Sequence, residues 1–272
     1  MSRPGLPARL LAPLLGLVLL AGACSAGAST PAAAPTAVRL TVYAAASLHD
    51  VMGALASRYA KVVPGMQIAF SFDSSAALRT QIEQGAGADL FVSADLVNAQ
   101  RLADEGLTAG PVVPVVRNVL TIVVPATGSS PVHTPFDLAL PGVRVVAAGS
   151  AVPITKYATK LIANLAALPG APPDFVAAVD HNIVSREEDV TAVLAKVALG
   201  EGDAGIVYTT DARSSSEVRT VAVPADANVP ATYGAVVVKA SPHAAAASAF
   251  LHWLLGSDAQ STFAAFGFLA PQ

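Results

Sequence analysis

Four points in the sequence combine the end of an apolar run with a short polar or small segment that can start a helix. At such points the first backbone N–H groups of the helix have no acceptor within it, and they lie at the positive end of the helix dipole. If they converge, such donors hold an anion without lysine or arginine. Each point alone is compatible with ordinary capping, so the prediction rests on the four together. They are AAAS ending at Ser47, the pair Ser74 and Ser75, VPIT at 152–155, and EEDV at 187–190.

Strand and helix patterns alternate along the chain around these points. Runs with β-branched residues or a two-residue alternation predict strands, and apolar residues three or four apart predict helices. This alternation indicates an α/β architecture with largely parallel sheets, in which ligands bind beyond the carboxyl ends of the strands. The predicted strands cover 39–43, 66–72, 88–94, 119–125, 143–149, 204–210, 218–224 and 233–239. The predicted helices cover 47–63, 76–84, 95–105, 155–168, 189–199, 242–255 and 258–265.

Two capping boxes bear on where helices start. The segment SLHD fits such a box with Ser47 at the cap. The segment SREE fits another with Ser185 at the cap, which would place the N–H of Val190 inside a helix and already bonded. A helix that starts near Asp189 would instead leave that N–H free.

A faint internal similarity links two strand regions. QGAGADLFVSAD at 84–95 and LGEGDAGIVYTTDA at 199–212 both run from a glycine-rich turn through an apolar strand to serine or threonine and aspartate. Two lobes of related architecture would explain the similarity, and chance resemblance between two such junctions is the alternative.

The composition indicates a folded protein with a large hydrophobic core and argues against nucleic-acid binding. The chain has 272 residues, of which 53% are hydrophobic and 13% charged, so it can bury the core of one large domain or two moderate ones. The formal net charge is −3 and no basic stripe occurs, which argues against a nucleic-acid partner.

The sequence gives little support for a serine hydrolase or for a metal site. Ser47, His49 and Asp50 lie within one helical turn, so they cannot form a Ser–His–Asp relay, and no GxSxG segment occurs. The five histidines show no metal-ligand spacing with cysteine or carboxylates.

The start of the chain has the pattern of a lipoprotein leader. Residues 1–24 contain Arg3 and Arg9 near the start, continue with an apolar stretch over 10–21 that is short for a membrane span, and end at Cys24, the only cysteine. The small residues before Cys24 resemble a lipobox, although alanine stands where leucine is usual. Residues 25–37 are small, uncharged and proline-containing, as in a flexible tether. An ordinary secretory leader with an unpaired thiol is the alternative.

Long ordered segments of the chain resemble the periplasmic molybdate-binding proteins that supply ABC transporters. They are AAASLHD, FSFDSSAALRTQIEQGAGADLFVSAD, VPITKYA, EEDVTAVLAKVALGEGDAGIVYTTDA and the closing FAAFGF. The resemblance implies an α/β, two-lobed periplasmic binding protein fold of type II, each lobe a mostly parallel sheet flanked by helices, with a double hinge crossover. The implied first lobe is 38–124 plus 228–272, and the implied second lobe is 125–227.

The resemblance also implies a ligand site. The family binds a tetrahedral dianion between its lobes with neutral donors, and small alanines let the anion reach the backbone. By position in the matching segments, the implied donors are the hydroxyl and N–H of Ser47, the same groups of Ser75, the N–H of Ile154, the N–H of Val190 and the phenol of Tyr208.

Two positions depart from the family's pattern. Asp73 stands before the serine pair, where a small uncharged residue is usual, and a carboxylate facing a dianion would repel it. We therefore expect Asp73 to point away from the site. Ile154 is bulkier than the small residue expected, which a backbone donor tolerates more readily than the size of the pocket does.

The function implied is reversible capture of molybdate, and of tungstate as well, without catalysis or cofactor. The oxyanion would be held through its oxygens, with no protein atom on the metal. The implied partners are a cognate ABC permease and, through Cys24, the membrane, with the protein outside the cytoplasm and monomeric. A receptor for another oxyanion such as sulfate, and a secreted serine hydrolase, are the alternatives.

Overall fold

The computed structural model describes residues 38–272. The predicted leader over 1–24, the lipidation site at Cys24 and the linker over 25–37 lie outside the described residues.

The described chain alternates between strands and helices, as its pattern predicts. The strands are β1 (Val38–Ala45), β2 (Met66–Asp73), β3 (Leu90–Ser93), β4 (Val113–Asn118), β5 (Leu120–Pro125), β6 (Val145–Ala148), β7 (Ile183–Glu187), β8 (Ala204–Tyr208), β9 (Val218–Val221) and β10 (Ala231–Val237). The helices are α1 (His49–Val62), α2 (Ser75–Glu83), α3 (Leu96–Asp104), α4 (Pro153–Ala166), α5 (Phe175–His181), α6 (Val190–Ala198), α7 (Thr209–Arg213), α8 (Ala244–Leu254) and α9 (Ser257–Ala265). Short 3₁₀ turns cover Ala46–Leu48 and Pro135–Ala139.

Two five-stranded sheets share one arrangement, with the order β2-β1-β3-β10-β4 in the first and β7-β6-β8-β5-β9 in the second. In each sheet three neighbouring strands are parallel, and the fourth is antiparallel to both of its neighbours. The fourth strands, β5 and β10, are those by which the chain enters the second sheet and returns to the first. The two-lobed α/β fold is therefore confirmed, but the sheets are mixed rather than mostly parallel.

The similarity between 84–95 and 199–212 has a counterpart in the topology. The first segment contains β3 and the second contains β8, and each is the third strand of its sheet. The two lobes thus use related segments at equivalent places.

The chain changes sheets earlier than the predicted lobe boundary at 124/125. The apolar run at 119–125 forms β5, which hydrogen-bonds to β8 and β9 of the second sheet. The first crossover is therefore between Asn118 and Leu120, and the second lies between β9 and β10.

Several elements were not predicted from the sequence. The strands β4 and β7 are edge strands, and their sequences VPVVRN and IVSRE lack the continuous apolar run of a central strand. The helices α5 and α7 are short, with seven and five residues, and so carry little periodic signal.

Helices pack on the sheets and bury a core in each lobe. Helix α6 lies close against β8 because position 205 is glycine: a Cβ there would lie 3.0 Å from Cγ1 of Val193 and 3.1 Å from the carbonyl oxygen of Val146. This close approach helps to fix the start of α6 beside the carboxyl ends of the second sheet. None of the helices within residues 38–272 combines the length and apolar character needed to cross a bilayer.

Candidate functional site

One small cavity brings together all five predicted site residues. Its empty space, including the part open to solvent, is about 220 Å³. It is lined by segments that follow the carboxyl ends of the six parallel strands, three from each sheet. The lining residues are Ala45, Ala46, Ser47, Ser74, Ser75, Ala94, Val152, Pro153, Ile154, Asp189, Val190 and Tyr208.

Three helix starts line this cavity. Ser75 is the first residue of α2, and Val190 is the first residue of α6. In α4 the first residue is Pro153, which has no N–H, so Ile154 carries the first N–H of that helix. Because such groups have no acceptor within their own helix, they are available to a ligand.

The start of α6 resolves the ambiguity between its two possible caps. Asp189 is the N-cap, and its carboxylate accepts the N–H of Ala192 at 2.8 Å. Ser185 lies instead in β7, paired with Val146 of the second sheet. The prediction of a helix start near Asp189 is confirmed. The N–H of Val190 is therefore at the N-terminus of α6 and has no acceptor within the helix.

Ser47 does not cap α1, contrary to the prediction from SLHD. It lies in the 3₁₀ turn that precedes α1, and the N-cap of α1 is Leu48, which makes no side-chain cap. The Oγ of Ser47 lies 2.8 Å from the Oη of Tyr233. The hydroxyl is therefore engaged in tertiary contacts at the cavity and not in local capping.

Ser75 has a hydroxyl that is free to donate. It is only 1% exposed, and its Oγ accepts the N–H of Ala94 at 2.9 Å. The cap of α2 is the preceding Ser74, whose Oγ accepts the N–H of Ala77 at 3.3 Å. Ser74 therefore caps α2, and the hydroxyl of Ser75 is left to face the cavity.

Tyr208 supplies a buried hydroxyl that has no hydrogen-bond partner among the described residues. Its side chain is 1% exposed. Burial, together with the nearby Tyr233, raises the pKa of the phenol well above its ordinary value, so the hydroxyl keeps its proton and can donate it. An unpaired buried polar group is costly, which points to a ligand as its missing partner.

Asp73 does not line the cavity, as expected. Its Oδ1 accepts the N–H of Ser74 at 2.6 Å. Asp189 does border the cavity, but Oδ1 of its carboxylate accepts a bond at the cap of α6. The conflict predicted between the Asp73 carboxylate and a bound dianion is thereby avoided, and Asp189 remains as a carboxylate at the edge of the cavity.

A neutral carboxyl lies behind Tyr208. Asp211 is 7% exposed and its Oδ2 accepts the N–H of Tyr208 at 3.0 Å. Its pKa is raised to about 8, chiefly by burial; the hydrogen bond from Tyr208 opposes this rise, and the carboxylates of Asp189 and Asp50 add to it. At neutral pH Asp211 therefore adds little negative charge to this region.

Sequence reasoning missed Asp211, Tyr233 and Asn118, which surround the predicted donors. Each is polar and buried, and no local pattern distinguishes them from surface residues. Their importance depends on contacts between distant parts of the chain.

Ser47, His49 and Asp50 do not form a Ser–His–Asp relay in the structure. His49 bonds Asp50 at 2.9 Å and its ring lies 4.8 Å from that of Phe72, whereas Ser47 contacts Tyr233. Within residues 38–272 no group of three or more His, Cys, Asp or Glu side chains is placed to hold a metal ion.

Comparisons with known proteins agree with this geometry. The family of bacterial extracellular solute-binding proteins matches residues 40–269. Molybdate-binding protein ModA of Mycobacterium tuberculosis is 32% identical over 264 residues, covering 95% of this chain and 97% of that protein. YvgL of Bacillus subtilis, proposed to be an ABC transporter substrate-binding lipoprotein, is 34% identical over 96% of each chain. The periplasmic molybdate-binding protein of Azotobacter vinelandii superposes with a TM-score of 0.73 at 25% identity, over 86% of this chain and 100% of that one. The resemblance found in the sequence is therefore confirmed, and the chain belongs to the family of bacterial extracellular solute-binding proteins.

Proposed function

We propose that this protein captures molybdate, and tungstate as well, outside the cytoplasm and delivers it to an ABC transporter without changing it chemically. Molybdate-binding relatives over nearly the whole chain support this ligand. The donors proposed to hold the oxyanion are the hydroxyl and N–H groups of Ser47 and Ser75, the N–H groups of Ile154 and Val190, and the phenol of Tyr208.

The observation that carries the proposal is the unpaired hydroxyl of Tyr208, which belongs to a cavity rich in neutral donors. Hydrogen bonds to a charged group contribute roughly 1.5–3 kcal/mol each, so about five to seven of them supply roughly 8–20 kcal/mol before ordering costs. Micromolar to nanomolar binding needs about 8–12 kcal/mol. Neutral donors are therefore sufficient, and no cationic side chain is required.

A site built from donors also selects among anions. Molybdate, tungstate and sulfate carry no proton near neutral pH, whereas phosphate keeps at least one and would need an acceptor for it. The size of the cavity would then separate molybdate from the smaller sulfate. Binding of molybdate between two lobes suits a hinge-closing receptor.

A thermal-shift panel with a Tyr208→Phe variant tests this function. At a hundredfold excess over its dissociation constant, molybdate is expected to raise the Tm of the wild-type body (residues 38–272) by about 5–10 °C. Tungstate should act similarly, sulfate more weakly and phosphate hardly at all. Tyr208→Phe should weaken molybdate binding about 10- to 100-fold by calorimetry, because one donor is lost.

The same variant should leave the ligand-free protein as stable as the wild type or more stable, by about 1 kcal/mol, because it removes an unpaired buried hydroxyl. Tyr59→Phe is the matched control, since Tyr59 is 3% exposed and packs on Phe250 and Trp253 away from the cavity. Wild-type affinity in Tyr208→Phe would contradict the site, and a larger Tm shift with sulfate than with molybdate would contradict the ligand.

We further propose that residues 1–23 are removed and that Cys24, then the first residue, is lipid-modified, so that 25–37 tether a monomeric body to the membrane. The proposed lipoprotein nature of YvgL supports this anchor. In cell fractionation, Cys24→Ser is expected to move the protein from the membrane fraction to the soluble one. An unchanged distribution would argue for an unmodified thiol.

A further inference from the structure

A buried tyrosine outside the predicted donor set touches one of the donors. Tyr233 lies on β10, is fully buried, and places its Oη 2.8 Å from the Oγ of Ser47. Its ring packs 5.7 Å from the rings of Tyr208 and Phe268. The hydroxyl of Tyr233 thus reaches the edge of the cavity from behind Ser47.

The direction of this hydrogen bond follows from Asn118 at the end of β4. The Oδ1 of Asn118 accepts the N–H of Val119 at 2.9 Å, so its amide nitrogen faces the other way. That nitrogen donates to Oγ1 of Thr210 at 2.8 Å and lies 3.5 Å from the Oη of Tyr233. The Oη of Tyr233 therefore has one donor, the amide of Asn118, on that side, and its own proton is left for the Oγ of Ser47.

We propose that Tyr233, oriented by Asn118, is a positioning residue that donates to Ser47 and so directs the Ser47 hydroxyl proton into the oxyanion cavity. With its oxygen engaged as an acceptor, Ser47 has one group left to offer, its own O–H. Chains of hydrogen bonds in a buried setting polarise one another, which strengthens the terminal donor. This inference rests on the proposed oxyanion site.

The chain of contacts also spans the point where the polypeptide changes sheets. Asn118 ends the last first-sheet strand before the crossover, and Thr210 lies on α7, beside the second sheet. Ser47 follows β1 of the first sheet. The orientation of a ligand donor is thus tied to a contact between the lobes, in a place where hinge motion would alter it.

A double-mutant cycle distinguishes positioning through Ser47 from a general structural role. The four proteins are the wild type, Ser47→Ala, Tyr233→Phe and the double variant, each measured for molybdate affinity by calorimetry and for ligand-free Tm. We expect Ser47→Ala to weaken binding about tenfold or more, and Tyr233→Phe about three- to tenfold. The double variant should bind within about twofold of Ser47→Ala, because Tyr233 acts only through that serine.

Other outcomes overturn the inference in distinguishable ways. If the two losses of affinity multiply in the double variant, Tyr233 does not act through Ser47, and the oxyanion site itself stands. The same holds if Tyr233→Phe binds like the wild type while Ser47→Ala is impaired. No molybdate binding by the wild type, or no effect of Ser47→Ala, refutes the proposed site itself. Tyr59→Phe should match the wild type throughout.

A second variant keeps the test decisive if Tyr233→Phe fails to fold. Asn118→Leu keeps the size of the side chain but removes the amide that orients Tyr233. Its loss of affinity should likewise disappear in the Ser47→Ala background, and a loss that persists there overturns the relay.

Discussion

Ser75→Asp is expected to abolish oxyanion binding while the protein stays folded. The Oγ of Ser75 accepts the N–H of Ala94, and a carboxylate at this position can accept the same bond. Its charge would then lie within the cavity that we propose holds a dianion. Two unit charges about 4 Å apart repel by about 4 kcal/mol at an effective dielectric constant of 20, and the dianion roughly doubles this. The expected loss of affinity is about a thousandfold or more.

The natural sequence contains the control for this experiment. Asp73 lies only two residues away, but its carboxylate accepts the N–H of Ser74 and does not line the cavity. Asp73→Asn should therefore change molybdate affinity by less than about threefold. Ser75→Ala should fall between the two, since it removes one donor without adding charge, with a loss of about tenfold or more. Calorimetry near pH 7 provides the comparison.

Recovery at low pH would identify the cause of the loss in Ser75→Asp. An aspartate that faces an anion has a raised pKa, so acidification should neutralise it and restore part of the affinity. Binding by Ser75→Asp equal to that of the wild type at pH 7 would mean that the oxyanion is held elsewhere.

The helix starts at the site could be predicted from the sequence because they depend on local chemistry. Ser75 follows an alternating strand, and Val190 follows an acidic cap, so short segments carry the signal. The local signal was ambiguous at SREE, where the pairing of Ser185 with β6 prevents the earlier helix start. Tyr208 entered the predicted set through the family resemblance, since a tyrosine at the end of a strand has no distinguishing local pattern.

The contacts that refine the site could not be predicted, because they join residues far apart in the chain. Ser47 and Tyr233 are 186 positions apart, and their contact replaces the capping role that SLHD indicates. Asn118 and Thr210 are 92 positions apart and meet only because the chain crosses between the sheets beside them. Edge strands such as β7 were missed for a similar reason, since their pairing partners, rather than their own sequences, make them strands.

Asp211→Asn is expected to raise the free energy of unfolding at pH 7–8 and to flatten its dependence on pH. Burial holds the folded-state pKa of Asp211 at about 8, above the ordinary value of 3.8. Between these values the folded protein keeps a proton that the unfolded chain releases. The contribution of Asp211 to stability is therefore full below about pH 4 and falls as pH rises towards 8, by up to about 1.4 kcal/mol per pH unit.

Asparagine reproduces the neutral form of this side chain without its titration. Its carbonyl oxygen can still accept the N–H of Tyr208, which Oδ2 of Asp211 accepts at 3.0 Å. The cleft around this group also contains His49, Asp50 and Arg213, which the variant leaves in place. Urea unfolding at pH 5, 6, 7 and 8 should show a shallower decline for the variant than for the wild type, and parallel declines would show that Asp211 ionises normally.

Asp203→Asn provides a control of opposite sign. Burial tends to raise the pKa of Asp203, but hydrogen bonds from the side chain and backbone of Arg144 lower it below its ordinary value. This carboxylate therefore stabilises the fold above its unfolded-state pKa, and the contribution is lost as pH falls through the folded-state pKa. Asp203→Asn should destabilise the protein at pH 7 and have little effect at low pH. Because Asp211 is neutral at pH 7, it lies behind Tyr208 without repelling a bound dianion. The repulsion that the dianion meets then comes from Asp189 alone among these two residues.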